Sequence, residues 1–165
     1  MGRSEGFLPI ARADARILIL GSLPGDRSIA EQQYYAHPQN AFWRIMRELF
    51  GVDGDYETRC AQLCANGIAL WDVLHSSIRP GSMDSDILMS SAAANDFAGF
   101  FTSHPHISAV AFNGKKAEQL FMRLVDPDGN AVGARRIALP STSPAYASMP
   151  FSGKLKIWRD ALADK

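Results

Sequence analysis

Cysteine, long apolar runs and net charge are scarce in this chain, and each scarcity excludes something. There are two cysteines, Cys60 and Cys64, spaced to share one face of a helix. Two thiols alone hold neither a zinc ion nor an iron–sulfur cluster, so they read as reduced thiols of a cytoplasmic protein. The longest apolar runs, such as Ile17–Leu20, fall far short of the ~20 residues that cross a bilayer, and no membrane span is expected. Residues Met1–Ile10 lack the basic-then-apolar pattern of a secretory leader, which again points to the cytoplasm. No G-x-x-x-x-G-K-[ST] and no G-x-G-x-x-G occurs, so a P-loop NTPase or a Rossmann dehydrogenase is disfavoured and no cofactor or metal is expected.

The formal charge is zero, with 17 basic and 17 acidic side chains. That balance ordinarily argues against nucleic acid, but it is uneven along the chain. Residues 1–50 carry six basic and five acidic groups, residues 51–100 two and seven, and residues 101–165 nine and five. The last third therefore has an excess of +4, including Lys115, Lys116, Lys154 and Lys156. Such an excess suits either a phosphate-facing edge or an ordinary solvated face with cations at helix C-termini.

What remains is a globular composition: 165 residues, 47% hydrophobic and 21% charged. That length fits a single domain, 1–165, able to bury about two-thirds of its surface without a disulfide or metal. Four short apolar segments read as strands: Arg16–Leu20, Ile68–Val73, Ile107–Phe112 and Ile137–Leu139. None alternates cleanly, as expected of strands covered on both faces. Phe42, Ile45, Met46, Leu49 and Phe50 recur at helical spacing and stop at Gly51. A second stripe, Ala117, Leu120, Phe121 and Leu124, precedes Pro127, and a third, Leu155, Trp158 and Leu162, lies behind Ser152 as an N-cap. Gly81–Asp86 and Pro127–Gly133 read as surface loops. Strand–helix alternation implies a three-layer α/β/α sandwich around a four-stranded parallel sheet, in strand order 2-1-3-4.

In such sheets, ligands bind beyond the carboxyl ends of the strands. After the first strand comes Gly21-Ser22-Leu23-Pro24-Gly25, a tight turn able to bring backbone N–H groups near an anion. Next comes Tyr34-Tyr35-Ala36-His37-Pro38-Gln39-Asn40-Ala41-Phe42-Trp43, polar and aromatic, immediately before a helix. Asn40 suits an N-cap, His37 a loop hydrogen bond, and the two tyrosines plain packing. Asp72 and Asn113 end the second and third strands. After the fourth comes Ser141-Thr142-Ser143-Pro144-Ala145-Tyr146, in which Ser143 before Pro144 has the form of an N-cap with proline at N1.

The segments GSLPG (21–25), YAHPQNAFW (35–43), LWDVL (70–74), FNGKKA (112–117) and LPSTSP (139–144) follow the order of motifs in the uracil-DNA glycosylase superfamily. The resemblance spans essentially the whole chain and is nearest to the hypoxanthine-DNA (deoxyinosine) glycosylase branch. YAHPQNAFW also resembles the F-A-H-P-x-N-R-F-W stretch of the mismatch-specific uracil branch. Two departures stand out. Leu23 occupies the place of a water-activating asparagine in the mismatch-specific G-I-N-P-G, and Ser141 the place of the histidine in H-P-S-P.

The resemblance implies a monofunctional hydrolase that cleaves the N-glycosidic bond of a deaminated base: hypoxanthine, with uracil or xanthine as further candidates. It implies catalytic roles for Asn40 and Asn113, with Asp72 at the base-reading position. The target must be flipped out of the duplex, and the pocket must stack it, read its edge and position a water. Tyr35 suits the stack; Ser22, Leu23 and His37 complete the expected base pocket. The loop from Ser141 through Tyr146, with Lys115 and Lys116, is the expected DNA contact, and the partner is DNA bound by a monomer. With no acid in the first loop, the expectation is slow catalysis. A lesion-sensing DNA-binding module without activity, and a small-nucleotide hydrolase of the same fold, remain alternatives.

Overall fold

The computed structural model describes residues 3–129 and 133–163. Strands β1 (Arg3–Glu5) and β2 (Ile17–Gly21) lead into helices α1 (Asp26–Glu31), α2 (Phe42–Phe50) and α3 (Tyr56–Ala65). Strands β3 (Ile68–Asp72), β4 (Leu74–Ile78) and β5 (Ala93–Ala94) follow, then α4 (Phe97–Ser103), β6 (Ala109–Asn113), α5 (Lys115–Leu124), β7 (Arg135–Leu139) and α6 (Phe151–Leu162).

The central sheet is β3-β2-β6-β7, all parallel, with Ile17 beside both Ile68 and Ala109, and Ala109 beside Arg135. This is the expected order 2-1-3-4. Because successive strand residues face opposite sides, the sheet feeds two cores. Leu18, Leu20, Trp71, Val110 and Phe112 pack with Phe97 and Phe100 of α4 and with Leu120 and Phe121 of α5. Ile17, Ile19, Ile68, Leu70 and Ala111 pack with Phe42, Ile45 and Met46 of α2, Leu63 of α3, and Trp158 and Leu162 of α6. The three layers follow directly.

A second sheet, β1-β4-β5, is antiparallel and was not foreseen. Its central strand, Leu-His-Ser-Ser-Ile, is too polar to read as a strand, yet Ser76 and Ser77 are buried. Only Val73 separates β3 from β4, and the Val73 and Leu74 N–H groups still bond Gly21 and Ser22 carbonyls at 2.8 and 3.0 Å. The chain thus passes from one sheet to the other beside the first loop. Helices α1 and α4 were also missed, and of α3 only the helix face shared by Cys60 and Cys64 was expected. α3 and α4 begin at Asp55 and Asp96, whose side chains accept from the Thr58 and Gly99 N–H groups at 2.8 and 3.0 Å.

Three local expectations change. Ser143 caps no helix: its Oγ accepts from the Ala145 N–H and its carbonyl from Tyr146, closing a short turn. α6 starts only at Phe151, behind Pro150, so Ser152 sits inside its first turn. Gly81–Asp86 contains a 3₁₀ turn, Asp84–Asp86. The centre of the Pro127–Gly133 loop, 130–132, lies outside the described residues. Cys60 and Cys64 are both on α3 and unpaired. Among the described residues no helix is long and apolar enough to cross a membrane, and no cluster of three or more His, Cys, Asp or Glu could hold a metal.

Candidate active site

The carboxyl ends of β2, β3 and β6 open into one cleft of about 550 Å³. Its lining joins the first loop, Tyr34, Tyr35, His37 and Asn40, the strand ends Asp72 and Asn113, and Ser141–Tyr146. Two segments no sequence pattern placed there also line it: Asp26–Ser28 and Ser82–Ser85.

Hydrogen bonds lock the loops together. Asn113 Nδ2 donates to Thr142 Oγ1, and the Thr142 N–H returns a bond to Asn113 Oδ1, both at 2.9 Å. The Thr142 carbonyl accepts from the Ala41 N–H at 3.0 Å, and Trp158 Nε1 donates to the Pro140 carbonyl at 2.9 Å. Gly114 makes the close passage possible: its φ is +96°, and a Cβ there would lie 3.0 Å from that of Ser141. Thr142, expected at the DNA, is therefore a buried latch, and Asn113 spends one N–H and one lone pair on it rather than holding the whole amide ready for a base.

The two ends of the Asn40 amide are engaged differently. Its Oδ1 accepts from the Phe42 N–H at 2.9 Å, satisfying the first donor of α2, although the N-cap position itself falls on Ala41. Its Nδ2 bonds no described protein atom, and the residue borders the cleft. The amide N–H₂, not the oxygen, is what Asn40 presents. His37 is exposed, with Nδ1 accepting from the Gln39 N–H at 3.1 Å. Tyr34 is packing, its hydroxyl donating to the Leu8 carbonyl. Tyr35 holds a left-handed backbone (φ 56°) and lies flat on Phe42, ring centres 4.2 Å apart.

At the floor, Asp72 is buried and its Oδ2 has no hydrogen-bond partner. Burial first, then the neighbouring Asp84 charge, pushes its carboxyl up to about 7, against a smaller opposing effect of Arg79. Gly21 is what admits it: a Cβ there would stand 2.5 Å from Asp72 Oδ1 and 3.1 Å from Tyr35 Oη. The Tyr35 phenol is pushed well above its ordinary value, chiefly by burial and next by Asp72.

Asp84 was not foreseen. Ser22 Oγ donates to its Oδ1, so the expected base contact Ser22 holds a carboxylate instead. Arg79, equally unforeseen, is buried beneath, bonding the Pro24 carbonyl through Nη2 while Nε and Nη1 have no partner. No spacing rule links Ser22 to a residue 62 positions away.

Among the expected DNA contacts, Pro144, Ala145 and Tyr146 are exposed on the turn, and Ser141 and Ser143 are partly so. Lys115 is exposed, while the half-buried Lys116 lies close enough for its charge to act on Asp84. Lys154 is not free for phosphate: it is buried and donates to the Ser143 carbonyl at 3.3 Å.

Residues 8–162 match the uracil DNA glycosylase superfamily. The chain belongs to that family. It is similar to a hypoxanthine DNA glycosylase of Methanosarcina acetivorans, 39% identical over 144 residues covering 86% of this chain and 87% of the relative. A hypoxanthine DNA glycosylase of Methanosarcina barkeri is 38% identical over 146 residues, 87% and 88% of the two chains. A solution NMR structure from M. acetivorans, described as a candidate uracil DNA glycosylase, superimposes with a TM-score of 0.79 at 35% identity, over 97% of this chain and 99% of the other. As a member, the chain is a DNA glycosylase, a hydrolase of N-glycosyl bonds.

Proposed function

We propose that this glycosylase removes hypoxanthine from DNA by simple hydrolysis, leaving an abasic site and an uncut strand. The observation that carries the reading is the buried Asp72 carboxyl, its Oδ2 unpartnered at the cleft floor. With its pKa raised to about 7, Asp72 is substantially protonated near neutral pH. A neutral carboxylic acid has one donor and one free acceptor. That pair matches the N1–H and O6 edge of hypoxanthine, which deamination creates from adenine. Uracil and xanthine carry a similar edge; the preference for hypoxanthine is supported by the names of the two Methanosarcina relatives.

The remaining groups fit the same reaction. Tyr35, backed by Phe42, stacks the base, a contact worth about 1–3 kcal/mol. That contribution offsets the few kcal/mol lost on flipping, which is smaller at a mismatched pair. As the bond to the sugar breaks, negative charge grows on the base, and the Asn40 N–H₂ stabilises it as an oriented donor. The exposed Pro144–Tyr146 turn enters the minor groove and fills the gap left by the flipped nucleotide.

Single-turnover assays on duplexes carrying one inosine, uracil or xanthine test the reading. Free hypoxanthine with an abasic product, cut only on later alkali treatment, is expected. Lesion-specific binding without an abasic product would make the protein a sensor. Cleavage of free deoxyinosine or its phosphates in preference to DNA would make it a nucleotide hydrolase.

A further inference from the structure

The first loop has no acid in its turn, and Leu23 there is buried and apolar. The fold brings one in from elsewhere. Three contacts in sequence pin the segment after β4 along this loop. Arg79 Nη2 donates to the Pro24 carbonyl, the Asp26 N–H donates to Ser82 Oγ at 2.9 Å, and Ser22 Oγ donates to Asp84 Oδ1. Gly25 leaves room for the middle contact, since a Cβ there would lie 3.3 Å from Ser82 Oγ. The segment's own turn is closed by the Asp86 N–H to the Met83 carbonyl at 2.9 Å, with the Met83 N–H donating to Asp86 Oδ2 at 3.2 Å. Asp84 is therefore held in a fixed place at the wall of the cleft, beside the first loop.

Three acids border the cleft, and their surroundings differ. Asp26 is exposed on the rim. Asp72 and Asp84 both line the cleft; burial raises both, and the Asp84 charge raises Asp72 further. Asp84 alone receives a hydroxyl hydrogen bond, from Ser22, and feels two cations, Arg79 from below and Lys116 from α5. Asp72 has Arg79 only. When two like charges interact, the better-stabilised partner ionises and the other keeps its proton. Here the carboxylate is Asp84 and the acid is Asp72.

We propose that Asp84 is the catalytic carboxylate that orients the hydrolytic water and accepts its proton. This rests on the glycosylase reading but not on which base is removed. The C1′–N bond breaks, and its electron pair leaves with the base. The water oxygen bonds to C1′, and one water proton passes to Asp84. The departed base takes a proton from solvent, and Asp84 later returns its own. Asp84 also offsets the positive charge that develops on the sugar. The first loop itself holds no acid, as the sequence shows, and on this proposal the acid arrives from a distant segment.

The test is single-turnover excision by wild type, Asp84→Asn and Ser22→Ala on the best-cleaved lesion duplex, from pH 5 to 9, with lesion-DNA binding measured in parallel. Asp84→Asn should lose on the order of 10²-fold or more in rate, with Kd changed by less than about threefold. Wild type should lose activity as pH falls through the raised Asp84 pKa, and Asp84→Asn should lack that acid limb. Ser22→Ala keeps the carboxylate but removes its hydrogen bond, so its acid limb should move to higher pH. Asp84→Asn within threefold of wild type across the range overturns the proposal. So does an unmoved limb in Ser22→Ala, which decides the matter should Asp84→Asn not fold. A wild-type enzyme active on uracil but not hypoxanthine would refute the substrate reading alone, and one that excises no base refutes both.

Discussion

Replacing Asn40 separates a cap from a catalyst, because its two polar atoms do different work. Oδ1 holds the Phe42 N–H at 2.9 Å, and Nδ2 bonds no described protein atom. Asn40→Ala removes both. Loss of the cap costs about 1 kcal/mol, which for a chain of this size lowers Tm by about 2–4 °C. Loss of one oriented donor to the leaving base costs on the order of 10²–10³ in single-turnover rate, or about 2.7–4 kcal/mol. Asn40→Asp keeps the capping oxygen and adds a charge favoured at a helix start, so its Tm should match or exceed that of wild type. It also removes the donor and sets a negative charge against an anionic leaving group. Its excision rate should therefore fall at least as far as that of Asn40→Ala. Melting curves and single-turnover rates on the same preparations check both halves. A folded Asn40→Asp protein with near-wild-type excision would refute the donor role, leaving Asn40 a cap and moving suspicion to His37.

Four further outcomes follow from the site. Asp72 is more strongly protonated folded than unfolded, so wild-type stability should fall as pH rises from about 4 to about 7 and then level off. Asp72→Asn should flatten that slope in urea titrations at pH 5 and 8, leaving only the smaller contribution of Asp84. Gly21→Ala drives a methyl into Asp72 Oδ1 and Tyr35 Oη, and should cut excision on the order of 10²-fold in a protein that still melts cooperatively. Thr142→Val strands the buried Asn113 N–H and should cost about 1–3 kcal/mol in chemical denaturation. With Lys154 buried and Lys156 paired to Asp160, few cations face the duplex. At about 0.9 per phosphate, the salt slope of DNA binding should lie on the order of −2 to −5, and affinity that ignores salt would rule out anchoring by Lys115 and Lys116.

The central sheet was legible because parallel strands buried on both faces must be apolar throughout, and Ile17–Leu20 and Ala109–Phe112 are. Helix α2 was legible from its stripe and its stop at Gly51. The second sheet was not, since β4 buries two serines and pairs with strands of three and two residues. Its stability comes from tertiary pairing, which no local period encodes. α1 is too short to show a stripe, and α3 was legible only in the spacing of Cys60 and Cys64.

The site divides along the same line. Residues at strand ends and in the two polar loops converge because topology sends every parallel strand's carboxyl end to one edge. That reasoning located Asn40, Asp72, Tyr35 and Asn113 around one cleft, but not what each side chain does there. Asn113 turned out to be half latch, Thr142 wholly so, and Ser22 a donor to an acid. Asp84 comes from a loop after an antiparallel strand, which the rule for parallel strands does not cover. Its place depends on the bend at Val73, which turns β4 and the segment after it toward the first loop. Arg79 and Ser82 then clip that segment to Pro24 and Asp26. The unforeseen sheet and the unforeseen carboxylate are one omission: the polar strand hidden from sequence is the element that delivers the acid.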